Sequence, residues 1–229
     1  MIDHFSPRIF SFLRKLKKNN SRKWFQAHKA EYESELKEPI LGFIAALAPG
    51  LKRIAPSILA DPRPVGGSLF RIYRDVRFSH DKSPYKTHAG AQFRHRAGKD
   101  VHAAGFYLHL EPGNVFAAGG LWRPEPEVLA KIREAIVRRP GEWRKSVSSK
   151  AFKARCYLDG ERLKRTPRGF EDQPEPVVEI LKWKDHCWVE DMSEKEACRP
   201  GFLKRVLDSF ERGTPLMEFL SKAVGSEWE

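Results

Sequence analysis

Residues 101–121 read VHAAGFYLHLEPGNVFAAGGL and predict a β-hairpin. The runs Val101–Leu110 and Val115–Leu121 are strand candidates, because they carry β-branched and aromatic residues. Between them, EPGN at 111–114 is a strong turn signal, since proline fixes φ and glycine tolerates a left-handed backbone. Strands joined by so short a turn pair antiparallel, whereas parallel strands need a long crossover. The stretch therefore favours an antiparallel sheet.

Helical patterns precede this hairpin. Apolar residues recur at helical spacing from Phe5 to Leu16, and further helical patterns begin at Ser21 and Ile40. We expect Pro49–Gly50 to end the last of them, because proline cannot continue a helix without losing a hydrogen bond. The first fifth of the chain is therefore predicted to be helical.

Helical patterns also follow the hairpin. One runs from Pro124 to Arg138, another begins at Arg199–Pro200, and a short terminal helix is predicted over Leu216–Val224. The order of helices, strands and helices predicts an α+β fold, in which an antiparallel sheet is flanked by N-terminal and C-terminal helices. Because neither a repeat nor a linker is evident, we expect residues 1–229 to form a single domain.

Composition excludes several classes of protein. The 229 residues are 41% hydrophobic and 11% aromatic, which is too apolar for a disordered chain. The longest apolar run, Ile40–Ala48, is far shorter than the roughly 20 residues of a membrane span. No secretory signal is evident at the amino terminus, and three cysteines do not suggest a disulfide framework. We therefore expect a cytoplasmic protein without a membrane partner.

The charge is positive and unevenly distributed. The formal net charge is +12, and residues 61–100 contribute nine bases against four acids. Residues 145–170 are also basic, whereas residues 171–200 are acidic. Such a positive charge favours the binding of anions but does not identify a particular anion.

The most unusual segment is Leu69–Phe78, which is predicted to be a strand. Alternation would place Arg74 on an apolar face, where a guanidinium needs an acidic partner or an anionic ligand. Arg71 and Arg77 would lie on the other face, oriented by Asp75, and could hold a phosphate or carboxylate between them.

A loop rich in turn residues follows this predicted strand. We expect Lys82, Tyr85, Lys86 and His88 to project from it, as function often lies on such a loop. The expected ligand-binding residues are cations and one phenol: Arg71, Arg74, Arg77, Lys82, Tyr85 and Lys86. An anionic small molecule is the first expectation for their partner, and nucleic acid is the alternative.

These stretches resemble a widespread conserved-hypothetical bacterial family, a full-length domain of unknown function. The resemblance rests on RIYRDVRF at 71–78 and DKSPYK at 81–86, together with NNSRKWF at 19–25, GFYL at 105–108 and GGLW at 119–122. It implies one domain along the whole chain. It implies no activity, because the family has none that can be carried over.

Two alternatives to ligand binding stay open. An enzyme acting on an anionic or phosphorylated substrate would draw acid–base or metal chemistry from carboxylates and histidines: Asp75, Asp81, His88, His109 and Glu111. On one face of the strand predicted from Val101, Tyr107, His109 and Glu111 could form such a site with His88 or Asp75, although an exposed polar face is the favoured interpretation. The sequence assigns neither a metal nor a cofactor. In the second alternative, the basic segment is only a network of salt bridges.

Overall fold

The computed structural model describes residues 2–97 and 103–228, and within them six strands form one antiparallel sheet in the order β1-β2-β3-β4-β6-β5. Their bounds are Ile58–Leu59 (β1), Ala89–His95 (β2), Gly105–Glu111 (β3), Asn114–Leu121 (β4), Tyr157–Asp159 (β5) and His186–Met192 (β6). The predicted α+β class with an antiparallel sheet is confirmed.

The hairpin β3–β4 forms the middle of this sheet. Glu111 pairs with Asn114 across the turn and Gly105 pairs with Gly120 at the far end. Gly113 has φ +81°, a conformation that glycine adopts without strain. The first predicted strand is shorter than expected, since it begins at Gly105, and positions 101 and 102 lie outside the described residues.

Helices flank the sheet in sequence on both sides, as predicted. Before β2 they are Arg8–Lys18 (α1), Arg22–Ala27 (α2), Lys29–Tyr32 (α3) and Glu38–Ile54 (α4), with a π-helical turn at Glu33–Lys37 before α4. After β4 they are Pro126–Arg138 (α5), Pro140–Ser146 (α6), Lys150–Lys153 (α7), Glu175–Leu181 (α8), Glu194–Ala197 (α9) and Phe202–Val224 (α10).

Two predicted helix ends are wrong. Helix α4 continues through Pro49 to Ile54, and α10 continues through Pro215 instead of dividing in two. Burial outweighs the lost hydrogen bond in both cases, because Leu51 and Leu216 beyond the prolines are fully buried. Gly50 allows α10 to approach α4 closely, since a Cβ there would lie 2.4 Å from Leu207.

Helix α10 covers one face of the sheet. The ring of Phe210 stacks on Phe106 of β3 with centroids 4.5 Å apart, and Gly213 lies against Trp188 of β6. The opposite face carries Tyr107 and His109, so the sheet separates an apolar core from a face with polar side chains. Of the helices described, none combines the length and the apolar character that crossing a membrane requires.

Candidate functional site

The segment Leu69–Phe78 does not form the strand that its composition predicts. Its backbone makes isolated bridges, one of them between Tyr73 and Tyr85, instead of a continuous ladder. The segment folds back on residues 84–86, where Pro84 has no N–H to donate and so interrupts the pairing. The prediction is wrong because composition did not reveal which residues the segment pairs with.

The alternation of faces survives over most of this segment. Ile72 is buried whereas Tyr73 is half exposed, as the twofold period predicts. Phe78 departs from the pattern, because it lies in a turn and is 95% exposed instead of facing the core. Arg74 keeps its expected place between apolar positions and is mostly buried.

Both aspartates of the segment form ion pairs. Asp81 pairs with Arg74 and accepts hydrogen bonds from the hydroxyl and the N–H of Ser83, at 2.6 and 2.9 Å. These Ser83 bonds, with the Arg74 guanidinium, lower the pKa of Asp81. Asp75 accepts two bonds from Arg77, at 3.0 and 2.7 Å, which lower its pKa to about 2. Both carboxylates are therefore ionised at neutral pH and engaged in ion pairs with arginines.

The lysines of the segment bind to its own carbonyl groups. Lys82 Nζ donates to the carbonyl oxygen of Val76 at 3.1 Å, and Lys86 Nζ donates to that of Arg71 at 3.0 Å. The ammonium of Lys86 also lies 5.1 Å from the centre of the Phe70 ring. Burial, followed by the charge of Arg71, lowers the pKa of Lys86.

Tyr85 does not project from the loop as predicted. It is 2% exposed, and its ring stacks on Phe25 of α2 with centroids 4.1 Å apart. The side-chain amide of Asn20 accepts a bond from the Tyr85 N–H at 3.1 Å and donates to its carbonyl at 2.9 Å. Tyr85 therefore anchors the loop to the N-terminal helices.

A cavity of about 270 Å³ opens between α2 and this segment. Its lining joins two guanidinium groups with an amide, two tyrosines and two apolar residues: Arg22, Gln26, Tyr73, Arg74, Val76, Pro84 and Tyr85. Over residues 2–97 and 103–228, no carboxylate forms an ion pair with Arg22. The cavity therefore contains one guanidinium that has an acidic partner, that of Arg74, and one that has none in the described chain, that of Arg22.

A second polar cluster lies on the face of β3 opposite α10. His109 Nδ1 is 3.0 Å from the Tyr107 hydroxyl, and His109 Nε2 is 3.4 Å from Glu111. His88, immediately before β2, brings its ring centre to 4.5 Å from that of His109. The pairing of Gly90 with His109 produces this approach, because it fixes where β2 begins beside β3. These four side chains are all among those predicted for such a site, and the structure brings them together without Asp75.

Burial shifts the pKa values of this cluster. It lowers the pKa of His88 to about 4, with a further contribution from His109, and it lowers that of His109 against the opposing effect of Glu111. The pKa of Tyr107 rises to about 12 through burial and the charge of Glu111. The imidazoles are therefore neutral at pH 7. Neutral imidazoles with a carboxylate are a donor set that a metal ion can use.

A third cluster was missed by the sequence analysis. Glu190 of β6 is 1% exposed and accepts hydrogen bonds or ion pairs from Arg205, Arg212 and Ser209 of α10, at 2.6 to 3.1 Å. Nothing in the local sequence pairs these residues, because the contact depends on how α10 crosses the sheet. The Cys156 thiol also donates to Glu190 at 3.7 Å, and this set of internal partners indicates a structural role.

The structure therefore divides the predicted ligand-binding residues. Arg74 and Tyr85 line the cavity, whereas Arg71, Arg77, Lys82 and Lys86 are not part of its lining. Arg22 and Gln26 were not predicted as site residues. The quoted stretch NNSRKWF contains Arg22 but gave no indication that α2 faces the loop.

Comparison with known proteins gives one match. A family model described as "Conserved hypothetical protein (DUF2461)" matches residues 8–219. Neither the curated proteins nor the solved structures contain a match to this chain. The matched range includes the sheet, the cavity and the polar cluster on β3, and the chain therefore belongs to the DUF2461 family of conserved hypothetical proteins.

Proposed function

We propose that this chain binds a small anionic molecule, carrying a phosphate or carboxylate group, in the cavity between α2 and the 71–86 segment. The observation that supports the proposal is the presence of Arg22 and Arg74 in one cavity, with Arg22 unpaired within the described part of the chain. Guanidinium groups hold phosphate and carboxylate oxygens through forked hydrogen bonds.

The two arginines would have different roles. Asp81 and the Ser79 hydroxyl, 3.4 Å from Nη2, already orient Arg74, so little side-chain freedom is lost when a ligand binds. Arg22 is exposed and supplies the charge that has no acidic partner among the described residues. The amide of Gln26 adds a neutral hydrogen-bonding group beside them.

The remaining lining sets the size and shape of the ligand. Tyr73 is half exposed and offers an aromatic surface, while Val76 and Pro84 add apolar contact. A volume of about 270 Å³ lies just below the range of roughly 300–1,000 Å³ found for drug-sized ligands. We therefore expect a metabolite-sized anion, with any ring placed against Tyr73.

Nucleic acid is the alternative partner, because Arg71 and Arg77 are exposed on the same segment that contributes Arg74 to the cavity. Phosphates of a polymer would contact these outer cations, and binding would weaken steeply with salt.

We also propose a cytoplasmic location, since the three cysteines, Cys156, Cys187 and Cys198, are free thiols, as is usual in a reducing compartment.

A thermal-shift panel tests the proposal. It would contain inorganic phosphate, nucleotides, sugar phosphates, dicarboxylates and short oligonucleotides, each with the wild type and the Arg22→Ala variant. A ligand at one hundred times its Kd adds about 2.7 kcal/mol of stability. At about 2–4 °C per kcal/mol, that raises the Tm by roughly 5–10 °C.

The matched control is Arg144→Ala, which removes an exposed arginine from α6, away from the cavity. We expect one class of small anion to stabilise the wild type and the control but not Arg22→Ala. The proposal is wrong if no small anion stabilises the wild type, or if Arg22→Ala responds equally. Stabilisation by oligonucleotides alone, unaffected by Arg22→Ala, would favour the nucleic-acid alternative.

A further inference from the structure

We propose that His88, His109 and Glu111 bind a divalent first-row transition-metal ion such as Zn²⁺. One donor atom from each side chain lies within 4.8 Å of the other two. For a triangle with sides no longer than this, some point is at most about 2.8 Å from every corner, compared with about 2.0–2.2 Å in zinc sites. Side-chain movements of less than about 1 Å would therefore complete the coordination.

His88 carries the first part of the argument. Its ring is half-buried and packs beside His109, yet no residue of the described chain forms a hydrogen bond with either of its nitrogens. Neither nitrogen is fully enclosed, so both remain available to a ligand. An ion bound by the edges of the two tilted rings would use this capacity and would account for two histidines placed side by side.

His109 is held in an orientation suited to binding an ion. Its ring stacks on Phe116 with centroids 4.6 Å apart, and its Nδ1 bonds to the Tyr107 hydroxyl, which leaves Nε2 directed towards Glu111. Gly90 provides the space for that hydroxyl, because a Cβ there would lie 2.4 Å from it. Histidine ligands of metals characteristically hydrogen-bond through their other nitrogen in this way.

The two carboxylate oxygens of Glu111 have different contacts, one with the proposed metal site and one with residues outside it. Oε2 lies 3.4 Å from His109 Nε2, which is too long for a strong hydrogen bond. Oε1 faces the Thr87 hydroxyl at 3.4 Å and the Lys17 ammonium at 3.9 Å. The carboxylate is thus positioned to bind an ion through one oxygen and to be steadied through the other.

The donor set selects the class of metal. Two imidazoles with one carboxylate suit zinc and its neighbours better than Ca²⁺ or Mg²⁺, which prefer oxygen ligands. Three protein ligands leave a coordination position for water or a substrate, an arrangement typical of catalytic and not of structural zinc. This site is independent of the anion proposed above, since it shares no residue with the cavity.

Titration of the full-length, chelator-treated protein with Co²⁺ tests the inference, because its visible absorption reports coordination by nitrogen and oxygen ligands. We expect one equivalent to bind to the wild type and to be displaced by Zn²⁺. The variants His88→Ala and Glu111→Gln should each bind Co²⁺ at least about tenfold more weakly, and Tyr107→Phe about 10–100-fold more weakly.

Two control variants distinguish this site from others. His80→Ala removes an exposed histidine of the loop, and Arg22→Ala removes the anion-binding arginine, so both should bind Co²⁺ as the wild type does. Circular dichroism establishes that each variant is folded. If His88→Ala unfolds, the Co²⁺ affinity of Glu111→Gln tests the proposal, because this substitution keeps the side-chain size at a partly exposed position. Absence of Co²⁺ binding in the wild type, or wild-type affinity in Glu111→Gln, would overturn the proposal.

Discussion

Glu190 is a single acid on which the sheet and α10 both depend. Its carboxylate is buried and lies between the guanidiniums of Arg205 and Arg212, with the Ser209 hydroxyl 2.6 Å away. Burial alone would raise the pKa of Glu190, but the hydrogen bonds from these three residues outweigh it and lower the pKa. The acid is therefore ionised and, together with Glu196 at 3.6 Å from Arg205, balances two mostly buried cations.

Glu190→Gln should lower the free energy of unfolding by about 3–5 kcal/mol, because it leaves Arg212 without its counter-charge and Arg205 with Glu196 alone, 3.6 Å away. Urea denaturation at pH 7 measures the change. The matched control is Glu134→Gln, which breaks an exposed ion pair with Arg138 and should cost less than about 1 kcal/mol. Equal effects of the two substitutions would contradict the role assigned to Glu190.

His186 makes stability depend on pH. Both of its ring nitrogens are buried without a partner in the described chain, and burial together with Arg133 lowers its pKa to about 3. Between its ordinary pKa near 6.5 and pH 3, the unfolded chain binds a proton that the folded chain does not, so stability falls as the pH falls.

From pH 7 to pH 5 the wild type should therefore lose about 2 kcal/mol more stability than His186→Gln, which cannot titrate. Urea denaturation at several pH values within this range measures how the stability of each protein depends on pH. The range ends at pH 5 because most carboxylates titrate below it. His80→Gln, at an exposed position, serves as the control and should keep the wild-type slope. Parallel slopes for His186→Gln and the wild type would show that His186 is not held neutral.

At the level of elements, the contact between α10 and the sheet depends on Gly213. A Cβ at this position would lie 2.0 Å from Cε2 of Trp188, whose indole is fully buried and cannot move aside. Helix α10 also contains Pro215, and the Thr214 hydroxyl donates to the Phe210 carbonyl at 3.0 Å in the same turn. Gly213, which by itself weakens a helix, therefore allows α10 to pack closely on Trp188.

Gly213→Ala should lower the free energy of unfolding by about 1–3 kcal/mol, although alanine favours a helix by up to about 1 kcal/mol. Gly141→Ala in α6 is the control, because within the described part of the chain nothing beyond its chain neighbours and its own helix backbone lies within 4 Å of an added Cβ. The control should be as stable as the wild type or slightly more so. Chemical denaturation of both variants measures the difference, and a stabilising Gly213→Ala would show that the sheet and α10 are less closely packed than described.

Sequence patterns correctly predicted the elements that depend on interactions between residues close together in the chain. The apolar spacing of α1 and the EPGN turn of the hairpin were sufficient, since each depends on neighbours in sequence. The strand at Leu69–Phe78 and the helix ends at Pro49 and Pro215 were wrong, because tertiary contacts overrode the local preference.

The candidate sites divide in the same way. The twofold period placed Tyr107, His109 and Glu111 on one face, which the structure bears out. The approach of His88 depends on the register of two strands, and the approach of Arg22 depends on the packing of α2 against the loop. Neither can be read from spacing in a single sequence.

At the scale of the whole molecule, the core joins elements that are far apart in sequence. One continuous cluster of buried residues extends from Phe5 to Leu220. Phe5 packs on both Phe43 and Phe202, and its N–H donates to the Ala197 carbonyl at 2.9 Å. The N-terminal helices, the sheet and α10 therefore share the same buried surface.

Because no part of this core can unfold without exposing the rest, the prediction of a single domain implies one cooperative unfolding transition. At about 0.7 kcal/mol per residue near 60 °C, the 229 residues should give a calorimetric enthalpy of about 160 kcal/mol. The van't Hoff enthalpy from far-UV circular dichroism should equal it, and tryptophan fluorescence should give the same Tm. A van't Hoff enthalpy well below the calorimetric value would instead indicate that the N-terminal helices and the sheet unfold as separate units, and the single-domain prediction would then be wrong.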